Sequence, residues 1–176
     1  KEISLKDVKQ YCKQKQYYIG HNINNDIRIN SSSGGIARTI IIEGLKHDLF
    51  DGVYTLKKKD KFPFAEGFFY TKETIPSYND IPNSIYHSVP LNLNIKSINK
   101  CNRILIVGTT CQLLALSNYL KNKCQIIYTL CIFCKQQKSF TSTKFIAKLA
   151  GVKLNKINDI KSCSYRGNGW PGYCSF

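Results

Sequence analysis

The chain has 176 residues, and 26 lysines and arginines against 11 aspartates and glutamates give it a net charge of +15. Its length and its 43% hydrophobic content are those of one folded domain with a substantial core. No run of about 18 apolar residues occurs, which excludes a typical membrane-spanning helix. The positive charge is scattered along the chain, so we assign most of it to solvated surface and do not expect nucleic-acid binding.

The amino-terminal residues 1–16 are polar and predict a short helix or tail, followed by one α/β domain over residues 17–176. Residues 17–21 (YYIGH) predict the first strand. The chain has no initiator methionine and no signal-peptide pattern, so we expect a fragment of a longer protein. Eight cysteines lie mostly inside or at the ends of predicted strands, which favours the reducing cytoplasm over a secreted disulfide framework.

A serine–glycine loop precedes the first long helix. Residues 31–35 read SSSGG, and apolar residues at helical spacing begin at Ile36. Glycine lets the backbone approach a ligand closely, and the amides of a first helical turn lack partners within the helix. The pattern is therefore compatible with a phosphate-binding loop, although serine–glycine runs more often form ordinary loops.

The middle of the chain predicts a hairpin and then a long loop. Residues 52–56 (GVYTL) and 66–70 (EGFFY) predict two strands around a lysine-rich turn. Prolines interrupt residues 73–90, which predicts loop or edge structure there.

Two strand–turn–helix units follow. Residues 103–107 (RILIV) predict a buried strand that ends in GTTCQ, with a helix beginning near Gln112. Residues 124–133 (CQIIYTLCIF) predict another strand, with a helix from Ser139 that stops at Gly151. The alternation predicts an α/β domain with a mixed or mostly parallel sheet and flanking helices.

Cys111 and Cys134 follow these two predicted strands. If the strands are parallel neighbours, both sulfurs lie at one edge of the sheet, where open α/β sheets bind ligands. A helix amino terminus also stabilises a thiolate or a metal-bound sulfur. Cys12, Cys101 and Cys124 we interpret as small buried hydrophobic residues.

The ordered set of motifs resembles the coenzyme F-420 hydrogenase/dehydrogenase beta-subunit family. Four segments carry the resemblance: residues 26–35 (DIRINSSSGG), 108–112 (GTTCQ), 134–139 (CKQQKS) and 165–172 (YRGNGWPG). Residues 84–88 (SIYHS) are also similar to a segment that lies near the flavin in that family.

The resemblance implies a flavin-binding oxidoreductase domain that holds FAD close to a 4Fe-4S cluster. It implies electron transfer between a ferredoxin-like domain or subunit and a small-molecule or deazaflavin substrate. It assigns eight residues to cofactor binding: Ser32, Ser33, Gly34, Gly35, Tyr86, Gly108, Thr109 and Thr110. It assigns Cys111 and Cys134 as cluster ligands, and it suggests that Tyr86 or His87 contacts the isoalloxazine ring. Part of the positive charge would then hold the FAD diphosphate. Arg166 either pairs an anionic substrate or flavin group or is a surface turn residue.

Several positions depart from the family pattern. Thr110 replaces a proline, and the charged residues 135–138 (KQQK) replace a neutral turn. The family's ferredoxin-type cysteine motifs and a later Cys-x-x-Cys are absent from this sequence, so an isolated chain is not expected to hold a stable cluster.

Two other functions are open from the sequence. Cys131 and Cys134 form a Cys-x-x-Cys between a strand and a helix, which is compatible with a thioredoxin-like thiol oxidoreductase. The basic charge is also compatible with a non-catalytic module that binds an acidic partner.

Overall fold

The computed structural model describes residues 18–98, 101–166 and 172–176. The helices are α1 (Asn25–Ile29), α2 (Ile36–Lys46), α3 (Thr110–Leu120) and α4 (Phe140–Leu149). The strands are β1 (Gly52–Lys58), β2 (Ala65–Thr71), β3 (Cys101–Gly108) and β4 (Cys124–Cys131). Short 3-10 turns cover Lys72–Thr74, Ile95–Ser97 and Ile157–Asp159.

The four strands form one mixed sheet in the order β2-β1-β3-β4. β1 and β2 are an antiparallel hairpin, whereas β1, β3 and β4 run parallel. The predicted α/β class is therefore confirmed, together with the predicted hairpin and both strand–turn–helix units.

Both faces of the sheet are covered, because neighbouring strand residues point to opposite sides. On one face, α2 packs Ile41 and Leu45 against Val53 and Leu105. On the other face, α3 contributes one side of a second cluster: Tyr54, Ile98, Ile104, Ile106, Leu113, Leu116, Leu120 and Cys124. This explains why the β3 sequence is almost continuously apolar.

α4 belongs to a third cluster. Its Ala147 is buried with Phe64, Leu154 and Ile160. This cluster lies outside the two sheet faces and joins α4 to the turn between β1 and β2. None of the helices in the described ranges is both long and apolar enough to cross a membrane.

The prediction of a strand over residues 17–21 is wrong for residues 18–21, which the structure describes. Residues 18–21 form no strand, and the Tyr18 and Ile19 side chains are 84% and 106% exposed. The segment instead docks on the serine–glycine loop, where the Asn22 amide donates to the Gly34 carbonyl at 2.7 Å. Tyr17, the predicted tail over residues 1–16 and the proposed boundary between them lie outside the described residues.

Some boundaries also differ from the sequence predictions. α3 begins at Thr110 and α4 at Phe140, with Ser139 as the residue that caps it. β4 ends at Cys131, two residues before the predicted end. α1 precedes the serine–glycine loop, and the Asn24 side chain accepts hydrogen bonds from the Asp26 and Ile27 amides and so caps this short helix.

Candidate functional site

Gly34 and Gly35 are required by the backbone of the serine–glycine loop. Their φ angles are +76° and +82°, a region that favours glycine. A Cβ at Gly34 would lie 3.1 Å from the Cβ of His21, and a Cβ at Gly35 would lie 3.0 Å from Ile27 Cγ2. The missing side chains therefore make room for the segment before the loop. A bulky substitution at either glycine would disturb the fold and would not report on a ligand alone.

The amino terminus of α2 has open backbone donors. The Thr39 amide donates to the Gly35 carbonyl at 3.1 Å, which is the first bond of the helix, and no side chain caps this end. The amides of residues 36–38 precede that bond and point out of the helix end. They form the kind of positive helix end at which anions bind.

The loop over residues 80–88 lies at the carboxyl ends of the parallel strands. The Lys58 amide at the end of β1 donates to the Asp80 carbonyl at 2.7 Å. Further along, the Lys138 amide, in the segment after β4, donates to the Tyr86 carbonyl at 2.7 Å. Ligands of open α/β sheets bind at this edge.

Two residues of this loop hold the serine–glycine loop in place. The Asn83 Oδ1 atom accepts from the Ser32 amide at 3.2 Å, and the Ser84 amide donates to Ser32 Oγ at 2.9 Å. Asn83 Nδ2 also donates to the Asn30 carbonyl at 3.1 Å. The serine–glycine loop is thus attached to the carboxyl edge of the sheet through Ser32.

Two arginine side chains bond to Asn83 or Ser32 at this junction of the two loops. Arg38 Nη2 donates to Asn83 Oδ1 at 2.8 Å, and Arg166 Nη2 donates to the Ser32 carbonyl at 3.3 Å. Burial lowers the pKa of the Arg38 guanidinium. None of the ion pairs between described residues includes Arg38. A partly buried positive charge that bonds a neutral amide attracts an anion.

The sequence pointed to Ser32 and Arg166 at this place but not to Arg38 or Asn83. Arg38 had a local signal, because it lies in the first turn of the helix that follows the two glycines. Asn83 had none, since its role depends on the docking of a loop 51 positions away in the sequence. Of the neighbouring serines, Ser33, which was predicted to bind the cofactor, is exposed. Ser31 is buried, and its hydroxyl donates to the Ile27 carbonyl at 2.6 Å.

Tyr86 is half-buried beside this cluster, with its ring centroid 5.2 Å from that of Tyr165. His87 is only 1% exposed, and both of its ring nitrogens have partners in the protein: the Tyr165 hydroxyl and the Pro63 carbonyl. Of the two residues suggested for contact with a flavin ring, only Tyr86 has a side chain available for it.

The GTTCQ segment forms the turn between β3 and α3. The Thr109 amide donates to Gln112 Oε1 at 3.0 Å, which closes the helix end. Cys111 is exposed in the first turn of α3, and its sulfur lies 3.3 Å from Thr109 Oγ1. Thr110 Oγ1 lies 3.3 Å from the Cys131 sulfur, so this turn contacts the end of β4.

The Cys-x-x-Cys segment lacks the context of a thioredoxin-like site. Cys131 is the last residue of β4, and α4 begins only at Phe140. Neither Cys131 nor Cys134 lies at a helix amino terminus, the position that lowers the thiol pKa in such motifs. The thioredoxin-like alternative therefore has no structural support.

A complete metal site is not formed by the residues that the structure describes. Within the described ranges, no group of three or more His, Cys, Asp or Glu side chains is arranged to hold a metal ion. A 4Fe-4S cluster needs four ligands, so the present residues do not supply a full set. The assignment of Cys111 and Cys134 as two of the ligands stays a prediction.

These features define an α/β protein whose mixed sheet carries a serine–arginine site at its carboxyl edge. Residues 101–174 match a family described as the C terminus of the coenzyme F420 hydrogenase/dehydrogenase beta subunit. The predicted resemblance is confirmed for these residues.

A solved structure supports the fold. The chain is similar to one in the F420-reducing [NiFe] hydrogenase complex from Methanosarcina barkeri, with a TM-score of 0.61 and 18% sequence identity. The similarity covers 84% of this chain and 54% of that chain, so this chain spans about half the length of its relative. No curated protein matches the chain.

Proposed function

We propose that the chain is the FAD-binding part of an oxidoreductase subunit that transfers electrons between a partner and a reducible cofactor or substrate. The partner would be a ferredoxin-like domain or subunit, and the substrate a deazaflavin or a similar small molecule. The observation that carries the proposal is the partly buried Arg38 guanidinium. It donates to Asn83, which also accepts from the Ser32 amide, and it forms no ion pair among the described residues. The family match over residues 101–174 and the likeness to a chain of a hydrogenase complex support an electron-transfer role.

The residues at the loop fit a diphosphate. Arg38 and Arg166 would pair its negative charge, and the α2 amides of residues 36–38 would add backbone donors. Ser32 Oγ accepts from the Ser84 amide and keeps its own proton for donation. Tyr86 would contact the flavin ring. When bound, FAD would supply the electron-carrying group that protein side chains lack.

A cofactor titration tests this proposal. We expect the purified protein to show flavin absorbance or to acquire it on titration with FAD, and to bind riboflavin, which lacks the phosphates, much more weakly. Arg38→Gln should weaken FAD binding by about 10- to 100-fold, since a hydrogen bond to a charged group contributes roughly 1.5–3 kcal/mol. The same substitution should leave riboflavin binding nearly unchanged. Flavin fluorescence quenching measures both affinities.

Lys121→Gln is the matched control. It also removes one positive charge, but Lys121 is exposed at the carboxyl end of α3, away from the carboxyl edge of the sheet. Equal losses in the two variants would indicate a general charge effect and would contradict the site. Equal affinity of wild-type protein for FAD and riboflavin would contradict the diphosphate contact, and absence of flavin binding would favour the basic binding module.

A further inference from the structure

A pair of cysteines lies at the opposite end of the sheet from the serine–arginine site. Cys101 is the first residue of β3 and Cys124 the first residue of β4. The two are direct Cα partners in the parallel register. Both side chains belong to the hydrophobic cluster beneath α3.

The register brings the two residues to disulfide distance. Neighbouring strands lie about 4.8 Å apart, and the Cα atoms of a disulfide are roughly 4.4–6.8 Å apart. The Cα spacing of paired strand residues therefore suits a bond between these two sulfurs. The bond would join the edge strand β4 to its neighbour β3.

One of the two thiols has access to solvent. Cys101 is half-buried and lines an open surface pocket of about 340 Å³ with Asp51, Phe69, Thr71, Glu73 and Asn102. Cys124 is 7% exposed and packs in the cluster beneath α3. A small oxidant therefore reaches Cys101 first, and Cys124 is the nearby second thiol.

We propose that Cys101 and Cys124 form a reversible redox site that low-molecular-weight disulfides, such as oxidised glutathione, convert to a disulfide bond. The Cys101 thiolate attacks one sulfur of oxidised glutathione, which releases one glutathione and leaves a mixed disulfide on Cys101. The Cys124 thiolate then attacks the Cys101 sulfur and releases the second glutathione. The two protein thiols lose two electrons and two protons, and one glutathione disulfide is reduced to two thiols.

Because burial disfavours the thiolate form of both cysteines, this site is expected to react slowly with thiol reagents. Desolvation raises the pKa of Cys101 to about 11 and also raises that of Cys124. Exposed Cys111 and Cys134 are therefore expected to react first with a simple alkylating reagent. The paired cysteines differ from Cys111 and Cys134 because a second thiol lies next to the first. This second thiol can convert a mixed disulfide into an intramolecular bond, which is the role of a resolving cysteine.

Peptide mapping of the full chain tests the site. The reduced protein is incubated with oxidised glutathione, its remaining thiols are alkylated, and it is digested with trypsin and chymotrypsin. Trypsin isolates residues 101–103, and chymotryptic cleavage after Tyr128 separates Cys124 from Cys131 and Cys134. We expect a reductant-sensitive crosslink between the Cys101 and Cys124 peptides.

A stability measurement gives a second readout. The disulfide closes a chain loop between β3 and β4 and should lower the unfolding equilibrium constant on the order of 100-fold. Oxidation should therefore raise the urea midpoint of the wild-type protein and of Cys131→Ser, but not that of Cys101→Ser. Cys124→Ala provides a second disabled variant if Cys101→Ser folds poorly.

Three results would overturn the proposal: a stable glutathione adduct on Cys101, a crosslink that joins only other cysteines, or no crosslink while Cys111 is modified.

Discussion

Gly67→Ala is expected to lower the free energy of unfolding by about 3 kcal/mol, at the upper end of the usual range for overpacking. Gly67 lies in β2, where the loop over residues 90–94 crosses it closely. Its amide donates to the Pro90 carbonyl at 3.0 Å, and its carbonyl accepts from Asn94 Nδ2 at 2.7 Å. A Cβ there would lie 2.6 Å from the Leu91 carbonyl carbon and 2.7 Å from the Tyr54 hydroxyl.

Backbone atoms cannot rotate away as a flexible side chain does, so the loop itself would have to shift. Such a shift would also break the bond that the buried Tyr54 hydroxyl donates to the Leu91 carbonyl. Urea unfolding followed by circular dichroism measures the loss. Gly20→Ala is the matched control, since its Cβ would meet only Ile36 Cδ1 at 3.7 Å, and its effect should stay within about 0.5 kcal/mol. If Gly67→Ala lost no more free energy of unfolding than Gly20→Ala, the loop over residues 90–94 would be able to shift at little cost, and the prediction would be wrong.

The second large effect is expected at His87, which joins four parts of the chain. His87 Nε2 lies 2.9 Å from the Pro63 carbonyl, which can only accept, so this nitrogen carries the proton. Nδ1 therefore accepts from the Tyr165 hydroxyl at 2.8 Å, and Thr143 Oγ1 lies 2.6 Å from the same hydroxyl. The network ties the hairpin turn, the loop at the carboxyl edge, α4 and the segment before Arg166 together.

His87→Gln should lower the free energy of unfolding by about 2–3 kcal/mol, because a buried carbonyl loses its donor and the amide cannot reproduce both contacts. The Arg166 segment is anchored through Tyr165, so the variant should also weaken FAD binding. His47→Gln is the control, because the His47 side chain is 73% exposed. A His87→Gln protein as stable as this control would contradict the structural role.

The same histidine makes the free energy of unfolding depend on pH. Burial lowers the pKa of His87 below its usual 6.5, so in acid the unfolded state takes up a proton before the folded state does. The contribution of His87 to the free energy of unfolding should therefore be constant above neutral pH and fall as the pH drops below about 6.5, levelling once the folded histidine is protonated. Carboxyl groups with lowered pKa values, such as Asp51 and Glu43, contribute a loss mainly below about pH 5.

Unfolding measured between pH 5 and 7 tests this expectation. The slope should be present in the wild type and in His47→Gln, and absent in His87→Gln. A slope that persists in His87→Gln would assign the proton uptake to another group.

Local sequence determined the elements and the edge at which the site would lie. β3 and α3 could be predicted from composition and periodicity alone, because β3 is an apolar run and apolar residues recur at helical spacing after residue 110. The parallel order then followed from two strand–turn–helix units, and it placed both GTTCQ and the end of β4 at one edge. The serine–glycine loop was likewise visible as a turn before a helix.

Tertiary packing decided what each of these residues does. Gly34 and Gly35 make room for His21 and Ile27, a purpose that the SSSGG pattern does not reveal. The pattern of residues 17–21 suits a strand, but their described part forms no strand, and the next residue, Asn22, bonds the loop. Asn83 and Arg166 bond Ser32 from two separate segments, and Arg38 from a third segment bonds Asn83. Such convergence depends on the closure of long loops, whereas sequence periodicity reports only neighbours within a few turns or strand residues.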